Sequence, residues 1–165
     1  MKECSAQISV PLSIIFEKSI GSGKLPKDWK TARIVPVFKK GLRTTAGNYR
    51  PVSLTSIPCK IMESLIKDKM WAHLKENNLL SWNQRGFMTG KSCLTNLLES
   101  FEIITKELDS GNDVDILYLD YQKAFDSVPH KRLILMLSAY GFDGKLIKWL
   151  KNYLCDRTQT VSVKK

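Results

Sequence analysis

The chain has 165 residues and a net charge of +10, and it is long enough for one domain that buries about 70% of its extended surface. Its 43% apolar content predicts a packed core, but the longest aliphatic stretch, residues 133–137, is far shorter than the roughly 20 residues of a membrane helix. Polar residues interrupt the N-terminus before any apolar run develops, so this segment does not resemble a secretory signal peptide. We therefore expect a soluble, intracellular protein.

The positive charge is concentrated in one part of the chain. Residues 18–91 contain 15 Lys or Arg against 4 Asp or Glu, whereas residues 92–165 carry 10 charges of each sign. This asymmetry favours a phosphate-rich partner. A basic surface that serves only solubility is the alternative.

The cysteines and histidines do not indicate a metal or redox centre. None of the cysteines forms a close pair in the sequence, so we expect reduced thiols at Cys4, Cys59, Cys93 and Cys155. His73 and His130 lack neighbours that could complete a metal site, and we expect structural roles for both.

The first part of the chain predicts a helix followed by a hairpin. Apolar residues at helical spacing predict a helix over residues 7–20 that stops at the following Gly-Ser-Gly, although Pro11 weakens it or moves its start. β-branched residues predict a strand over 31–38, and a polar, basic loop leads to a second extended segment at 48–54. Two strands joined by a cationic loop would form a hairpin-like finger.

Two long helices are predicted next, each with an apolar stripe. The first begins near Ser56 and ends near Asn77, with a stripe formed by Ile57, Ile61, Leu65, Met70 and Leu74. The second extends from about Ser92 to Leu108, with an inward face formed by Leu94, Leu97, Leu98, Phe101 and Ile104. Both stripes predict core packing rather than a ligand surface.

The remaining sequence predicts a strand, two helices and a final strand. Alternating residues predict the first strand over 114–121, and the helices are expected at 130–140 and 145–153, before a strand at 158–163. Together the elements indicate an α+β fold, rich in helix, with a small antiparallel sheet.

The segment LYLDYQKAFD, residues 117–126, holds the most specific chemical signal. Asp120 stands where the predicted strand ends, just before a turn of small and aromatic residues. Mg²⁺ prefers oxygen ligands and takes one or two protein carboxylates together with substrate phosphates. Asp120 is therefore a candidate metal ligand. The alternative is an acid at the end of a strand that caps the next turn.

This segment resembles the first catalytic motif of reverse transcriptases of non-LTR retrotransposons, the jockey-like and long interspersed elements. Further blocks match in the same order along the chain: WKTARIVPVFKKG, NYRPVSLTS, NQRGF, SVPHKRLILMLSAYGF and WLKNYLCDRTQTVSV. Several ordered blocks are more specific than any single pattern. The resemblance implies the fingers and an incomplete palm of a right-hand polymerase, with a fingers-like region over residues 1–111 and the first part of the palm over 112–165.

The resemblance also implies a nucleotide site. Asp120 would bind Mg²⁺, of which the intact parent enzyme uses two ions, and the main-chain carbonyl of Tyr121 would share the metal. The ring of Phe125 would lie under the incoming sugar and exclude a 2′-hydroxyl, although without the motif an ordinary core Phe explains this residue about as well. The triphosphate would be held by basic residues of the finger: Lys39, Lys40 and Arg50.

Contacts with an RNA template and a DNA primer are implied in the same way. Gln84 belongs to a Q-x-G-F block that we associate with template positioning, while a turn at the entry to a helix explains Gly86 equally well. Other basic residues form a pool of candidates for backbone contacts: Lys24, Lys27, Lys30, Arg33, Arg43, Lys60, Lys67 and Lys69. From this pool, Lys30, Arg33 and Arg43 are the predicted backbone contacts.

One part of the family pattern is missing. The second metal-binding block is an aromatic-x-Asp-Asp hairpin, and these 165 residues contain no Asp-Asp pair. We therefore expect this chain to be a segment of an RNA-directed DNA polymerase. The intact parent enzyme would use deoxynucleoside triphosphates, whereas this chain alone would be inactive. A non-catalytic nucleic-acid-binding remnant is the alternative.

Two further expectations follow from the incomplete pattern. The palm strand at 114–121 would lack partner strands, so we expect a marginally stable or association-prone palm half. The resemblance also implies a location in the cytoplasm and nucleus, within a retroelement particle.

Overall fold

The computed structural model of the chain describes residues 4–121 and 124–162. These residues form two compact units. The first unit comprises the chain up to His73 and again from Val128 onward, and the second comprises Leu74–Ser127. The described residues combine five α-helices with one small sheet, which confirms the predicted mixture of helix and strand.

Helix α1, Ser5–Ser22, begins the first unit. It begins two residues before the predicted start and continues through Pro11. Because proline has no backbone N–H, one helical hydrogen bond is missing at this position. Gly23 ends the helix in the left-handed conformation, and the N–H of Lys24 donates to the carbonyl of Ser19 at 3.2 Å. The predicted glycine stop is therefore confirmed.

A three-stranded sheet follows, in the order β2-β1-β3. Strand β1, Thr31–Phe38, pairs antiparallel with β2, Tyr49–Leu54, and both lie where the sequence predicts strands. Strand β3, Thr158–Val161, pairs with β1 in parallel, so the prediction of an antiparallel sheet was wrong for this pair. A parallel pair needs a long crossover connection, and more than 100 residues separate these two strands along the chain. Residue 163, the end of the predicted last strand, lies outside the described residues.

Three helices complete the first unit. Helix α2, Ile57–Glu76, extends across the boundary between the units, and α4, His130–Ala139, and α5, Gly144–Leu154, follow Val128. All three lie within one or two residues of their predicted bounds. Among the described helices, none is both long and apolar enough to cross a membrane.

The core of the first unit is built around two tryptophans. Trp29 and Trp149 are 5% and 1% exposed, and they pack with Cys59 and Met62 of α2. The indole N–H of Trp149 donates to Ser19 Oγ at 2.9 Å, so its one polar atom is satisfied inside the core. These contacts bring α1, α2 and α5 together around the two tryptophans.

Part of the predicted α2 stripe was wrong. Ile57 and Leu65 are more than half exposed, whereas Cys59 and Met62 are the buried residues of the helix. The helix carries apolar side chains on more than one side, and packing against the two tryptophans selected the side that includes Cys59 and Met62. Helical spacing alone does not distinguish between such faces.

A polar network joins α2 to α5 beside this core. Glu63 Oε1 accepts hydrogen bonds from the Cys59 thiol at 3.2 Å and from the Tyr153 hydroxyl at 2.8 Å. Burial, followed by the hydrogen bond to Glu63 and by its charge, raises the pKa of Cys59 from 9.0 to about 12. The same causes, in the same order, raise the pKa of Tyr153 above its ordinary value.

The second unit is built around α3, Cys93–Asp109. Ser92 caps this helix through a reciprocal pair with Thr95: the Thr95 N–H donates to Ser92 Oγ, and the Ser92 N–H donates to Thr95 Oγ1. The predicted inward face was wrong, because no described residue of α3 is buried and most of that face is more than half exposed: Leu94, Leu97, Leu98 and Phe101. Within the second unit, no described element covers this face.

The predicted strand over 114–121 was also wrong. Residues 112–121 have no regular secondary structure, and Leu117, Tyr118 and Leu119 are more than three-quarters exposed. A strand is defined by hydrogen bonds to a neighbour, and none of the described strands pairs with this segment. Alternation of residue types indicates where a strand can form but does not supply its partner.

Candidate functional site

The predicted finger is a hairpin formed by β1, β2 and the loop between them. Arg50 on β2 lies opposite Val37 on β1. The N–H of Lys39 donates to the Asn48 carbonyl at 2.9 Å, so the pairing continues one residue beyond β1. Because side chains alternate between the faces of a hairpin, Lys39 and Arg50 lie on the same face.

The cations of this hairpin are available to a ligand. Lys39, Lys40 and Arg50 are exposed, and none of them forms an ion pair with a described residue. Lys acts as a point charge and Arg as a planar fork with several donors, and both suit phosphate oxygens. The structure therefore places Lys39 and Arg50, two of the three predicted triphosphate ligands, on one face of the hairpin, and Lys40 follows Lys39 in the chain.

The loop at the tip of the hairpin has a defined conformation. Gly41 has a φ of +86°, and the Asn48 side chain donates to the Leu42 carbonyl at 2.9 Å across the loop. A Cβ at position 41 would lie 2.6 Å from Asn48 Nδ2. Both the backbone conformation and the close approach therefore favour glycine at this position.

Arg43 lies on an aromatic platform within the same hairpin. Its guanidinium carbon is 5.2 Å from the centre of the Phe38 ring, which packs edge-on against Tyr49 at 5.5 Å. The Tyr49 hydroxyl donates to the Arg43 carbonyl at 2.8 Å. The guanidinium is exposed and held in place, which suits contact with a nucleic-acid backbone.

The other two predicted backbone contacts lie at the far end of β1. Lys30 is half-buried at the end of a short 3₁₀ helix, Lys27–Lys30. Arg33 is exposed, and its Nη2 donates to Ser162 Oγ at 2.9 Å beside β3. Lys30 and Arg33 therefore lie at the opposite end of β1 from the hairpin tip.

Asp120 and Tyr121 lie in the irregular segment of the second unit, and both are exposed. An exposed carboxylate suits a first Mg²⁺ ligand, because this ion keeps waters and substrate oxygens around one or two protein carboxylates. Among the described residues, however, no group of three acidic, cysteine or histidine side chains converges on a common point. The described residues thus do not assemble a complete metal site.

Phe125 has a partner that the sequence analysis did not include among the site residues. Its ring packs edge-on against Phe87, with 6.0 Å between the ring centres and an interplanar angle of 89°. Both rings are at least 80% exposed, so the alternative of Phe125 as a core residue was wrong, and Phe87 has a φ of +60°. The sequence did contain a signal for Phe87, because Phe87 is the last residue of the Q-x-G-F block.

The turn that carries Gln84 is connected to α3. Gln84 Nε2 donates to the Gly86 carbonyl at 2.9 Å, so the side chain closes its own turn. Arg85 forms an ion pair with Glu99 of α3, and Lys91 Nζ lies 3.8 Å from the same carboxylate. The two ion pairs to Glu99 connect the turn that includes Gln84 to α3.

The predicted site residues fall in both units of the chain. Lys39, Lys40 and Arg50 belong to the first unit, as do the three predicted backbone contacts, whereas the metal, sugar and template residues belong to the second: Asp120, Tyr121, Phe125 and Gln84.

Comparison with known proteins gives three informative relatives, all of which come from mobile elements. The chain is 30% identical to "Probable RNA-directed DNA polymerase from transposon BS" of Drosophila melanogaster, over 93% of this chain and 17% of the relative. It is 30% identical to "RNA-directed DNA polymerase from mobile element jockey" of the same species, over 92% of this chain and 17% of the relative. It is also 29% identical to "Transposon TX1 uncharacterized 149 kDa protein" of Xenopus laevis, over 83% of this chain and 10% of the relative.

The chain thus spans less than a fifth of the length of these relatives. The predicted resemblance to reverse transcriptases of the jockey-like, non-LTR type is confirmed. The family described as reverse transcriptase (RNA-dependent DNA polymerase) matches residues 37–165, which include the hairpin tip, Asp120 and Phe125. This chain therefore belongs to the reverse transcriptase family.

Proposed function

We propose that this chain provides the fingers and the first part of the palm of an RNA-directed DNA polymerase from a non-LTR retrotransposon. The fingers correspond to residues 1–111 and the palm to residues 112–165. The observation that carries the proposal is the hairpin whose exposed cations, Lys39 and Arg50, share one face within the region that matches the family. RNA template, DNA primer and deoxynucleoside triphosphates are the proposed partners, and a retroelement particle in the cytoplasm and nucleus is the proposed location.

The hairpin holds the triphosphate in this proposal. Arg50 donates two N–H groups to phosphate oxygens, and Lys39 adds a point charge from the same face. Lys40 lies beside them and raises the local positive potential. Phosphoryl transfer requires mainly positioning and charge stabilisation, which are the contributions that these side chains can make.

Asp120 and the Tyr121 carbonyl supply oxygen ligands on the palm side. A bound Mg²⁺ would neutralise negative charge on the phosphates and make the attacking oxygen a stronger nucleophile. Asp120 also repels any phosphate that approaches without its cation, so the carboxylate favours a nucleotide that carries the metal.

Phe125 selects the sugar, and Phe87 supports it. The edge-on contact with Phe87 limits the positions that the Phe125 ring can adopt. A ring that cannot move aside rejects a ribose 2′-hydroxyl by steric conflict, which an isolated, mobile ring would do poorly. Gln84, Lys30, Arg33 and Arg43 contact the template and primer backbones.

A second candidate function is nucleic-acid binding without catalysis. It would need only the exposed cations of the hairpin, Lys39, Arg43 and Arg50, which suit a nucleic-acid backbone without a bound metal. This chain tested alone is expected to bind nucleotide and RNA without extending a primer.

Triphosphate binding tests the proposal directly. We expect Lys39→Ala/Arg50→Ala to weaken the binding of a deoxynucleoside triphosphate to the 165-residue chain at least about tenfold, as measured by titration calorimetry with Mg²⁺ present. The matched control is Lys18→Ala/Lys145→Ala, which removes two exposed cations of the same unit away from the hairpin. Equal losses in the two variants would reject the hairpin as the triphosphate site.

A further inference from the structure

A cavity of about 470 Å³ lies between α4 and α5, where the beginning of α4 meets the end of α5. Its apolar lining residues are Ile134, Leu135 and Leu154. Ile134 is buried, whereas Leu135 is 70% exposed and Met136, which follows it, is about half exposed. The cavity therefore continues into exposed apolar surface, which is typical of an interaction site.

Both helices contribute a lysine beside their apolar lining residues. Lys131 lies three and four positions before the two apolar lining residues of α4. Lys151 lies three positions before Leu154 on α5. Residues at these intervals share one face of a helix, so each lysine lies next to the apolar lining of its own helix. The cavity is thus an apolar site to which each helix adds a positive charge.

The charge of this cavity is not balanced. Lys131 and Lys151 line it together with His130, no acid is among its lining residues, and neither lysine forms an ion pair with a residue in the described part of the chain. The apolar groove between α1 and α2 differs, because its lining includes one acid and one lysine, Glu17 and Lys69. Of these two apolar sites, only the cavity between α4 and α5 therefore selects by charge for a partner that is both apolar and acidic.

Helix α3 has the complementary composition. It carries four acids and one lysine, a net charge of −3. At about 100° per residue, Glu102 and Asp109 lie along one edge of its apolar face, and neither forms an ion pair with a described residue. The leucine stripe of this face is more than half exposed: Leu94, Leu97, Leu98 and Leu108.

We propose that α3 of a second copy of this chain docks in the cavity between α4 and α5. The leucine stripe covers the exposed apolar surface beside Leu135, and the acidic edge formed by Glu102 and Asp109 faces the two lysines. Apolar burial drives the association, and the opposite charges orient α3 and fix its register. The contact uses neither the hairpin cations nor Asp120, so it stands independently of the proposed function.

A second copy fits this site because every copy carries both surfaces. Two copies can therefore exchange the contact reciprocally, with α3 of each one in the cavity of the other. Such an exchange has two-fold symmetry and closes as a dimer. It covers both leucine stripes and both cavities, so neither surface remains free to bind a third copy.

Charge reversal tests each side of the contact. We expect the 165-residue chain to dimerise in sedimentation equilibrium, and Glu102→Lys/Asp109→Lys to weaken dimerisation at least about tenfold, because like charges then face each other. Lys131→Glu/Lys151→Glu should weaken dimerisation to the same degree. The matched control is Lys18→Glu/Lys145→Glu, which reverses two exposed cations outside the cavity and should dimerise as the wild type does.

Mixing the two charge-reversal variants provides the decisive measurement. In the mixed dimer, the new lysines on α3 of one copy face the new glutamates of the other, while the reciprocal contact keeps the wild-type charges. We therefore expect mixing to restore dimerisation to within about threefold of the wild type. Restoration would also show that both variants fold.

The proposal is overturned if the wild-type chain stays monomeric up to about 100 μM, the weak end of specific association. It is also overturned if the two variants and the control dimerise equally, or if mixing restores nothing. Triphosphate binding by Lys39→Ala/Arg50→Ala reports on the hairpin, so the failure of one proposal leaves the other intact.

Discussion

At the scale of single residues, Asp120 decides between the two functions. Its carboxylate is exposed in the irregular segment of the second unit, so solvent and ions have access to it. In a longer polypeptide that includes the Asp-Asp hairpin, we expect Asp120→Ala to lower primer extension roughly 10³-fold or more, since a metal supplies several kcal/mol of charge stabilisation. RNA binding should change by less than about twofold, because no backbone contact is lost.

Asp115 provides the control for this prediction. It is an exposed acid in the same irregular segment, five positions earlier. Asp115→Ala should leave primer extension close to wild type. Retained extension in Asp120→Ala would remove this residue from the catalytic role.

Phe125 carries the prediction on sugar choice. In the same longer polypeptide, we expect Phe125→Val to raise ribonucleotide incorporation relative to deoxyribonucleotide incorporation at least about tenfold, because a steric conflict of this size contributes about 1–3 kcal/mol. Single-nucleotide extension kinetics measure the ratio. Phe101→Val, an exposed position on α3, should not change it, and an unchanged ratio in Phe125→Val would reject the assignment.

At the scale of elements, the conformation of the hairpin tip is what positions its cations. Gly41→Ala would place a methyl group against the Asn48 side chain in a backbone conformation that costs a residue other than glycine roughly 1–2 kcal/mol. We expect a lower melting temperature, faster exchange of the Lys39 amide hydrogen, and weaker triphosphate binding. Circular dichroism, hydrogen exchange and calorimetry measure the three effects.

Gly47 lies in the same loop and provides a matched control. Its φ is not in the left-handed region, and a Cβ there would meet nothing within 4 Å. Gly47→Ala should change stability by less than about 0.5 kcal/mol. If the two alanine variants behave alike, the tip does not depend on the left-handed conformation of Gly41.

At the scale of the whole molecule, the network around Glu63 makes folding sensitive to alkaline pH. The folded chain keeps the Cys59 proton until about pH 12, whereas the unfolded chain releases it near pH 9.0. The folded state therefore binds more protons between these values. The stability that the Cys59 proton contributes is fully present below about pH 9 and is lost as pH rises toward 12.

Urea unfolding of the wild type and of Cys59→Ala between pH 8 and pH 11 measures this effect. The wild type should lose stability more steeply, by up to about 1.4 kcal/mol per pH unit for the one proton concerned. Cys155→Ala, which changes an exposed thiol, should follow the wild-type slope. Parallel curves for the wild type and Cys59→Ala would show that the buried thiol does not couple to folding.

Local chemistry made much of the fold predictable from the sequence. The glycine stop after α1, the Ser92 cap of α3 and the β-branched run of β1 each act within a few residues, so their positions could be predicted to within one or two residues. The cationic character of the hairpin tip follows in the same way from Lys39, Lys40 and Arg50. The ordered motif blocks also identified the family before any geometry was known.

Only the tertiary structure decided which faces are buried and which strands pair. The apolar stripe of α3 satisfies the helical pattern but remains exposed within its unit, and residues 114–121 alternate as a strand should but have no partner among the described strands. The contact between Phe87 and Phe125 and the grouping of Lys131 and Lys151 around one cavity likewise depend on residues far apart in the chain. The physical reason is that helix caps, turns and charge depend on residues close together in the sequence. Burial and strand pairing depend on which distant segment packs against, or forms hydrogen bonds with, the segment concerned.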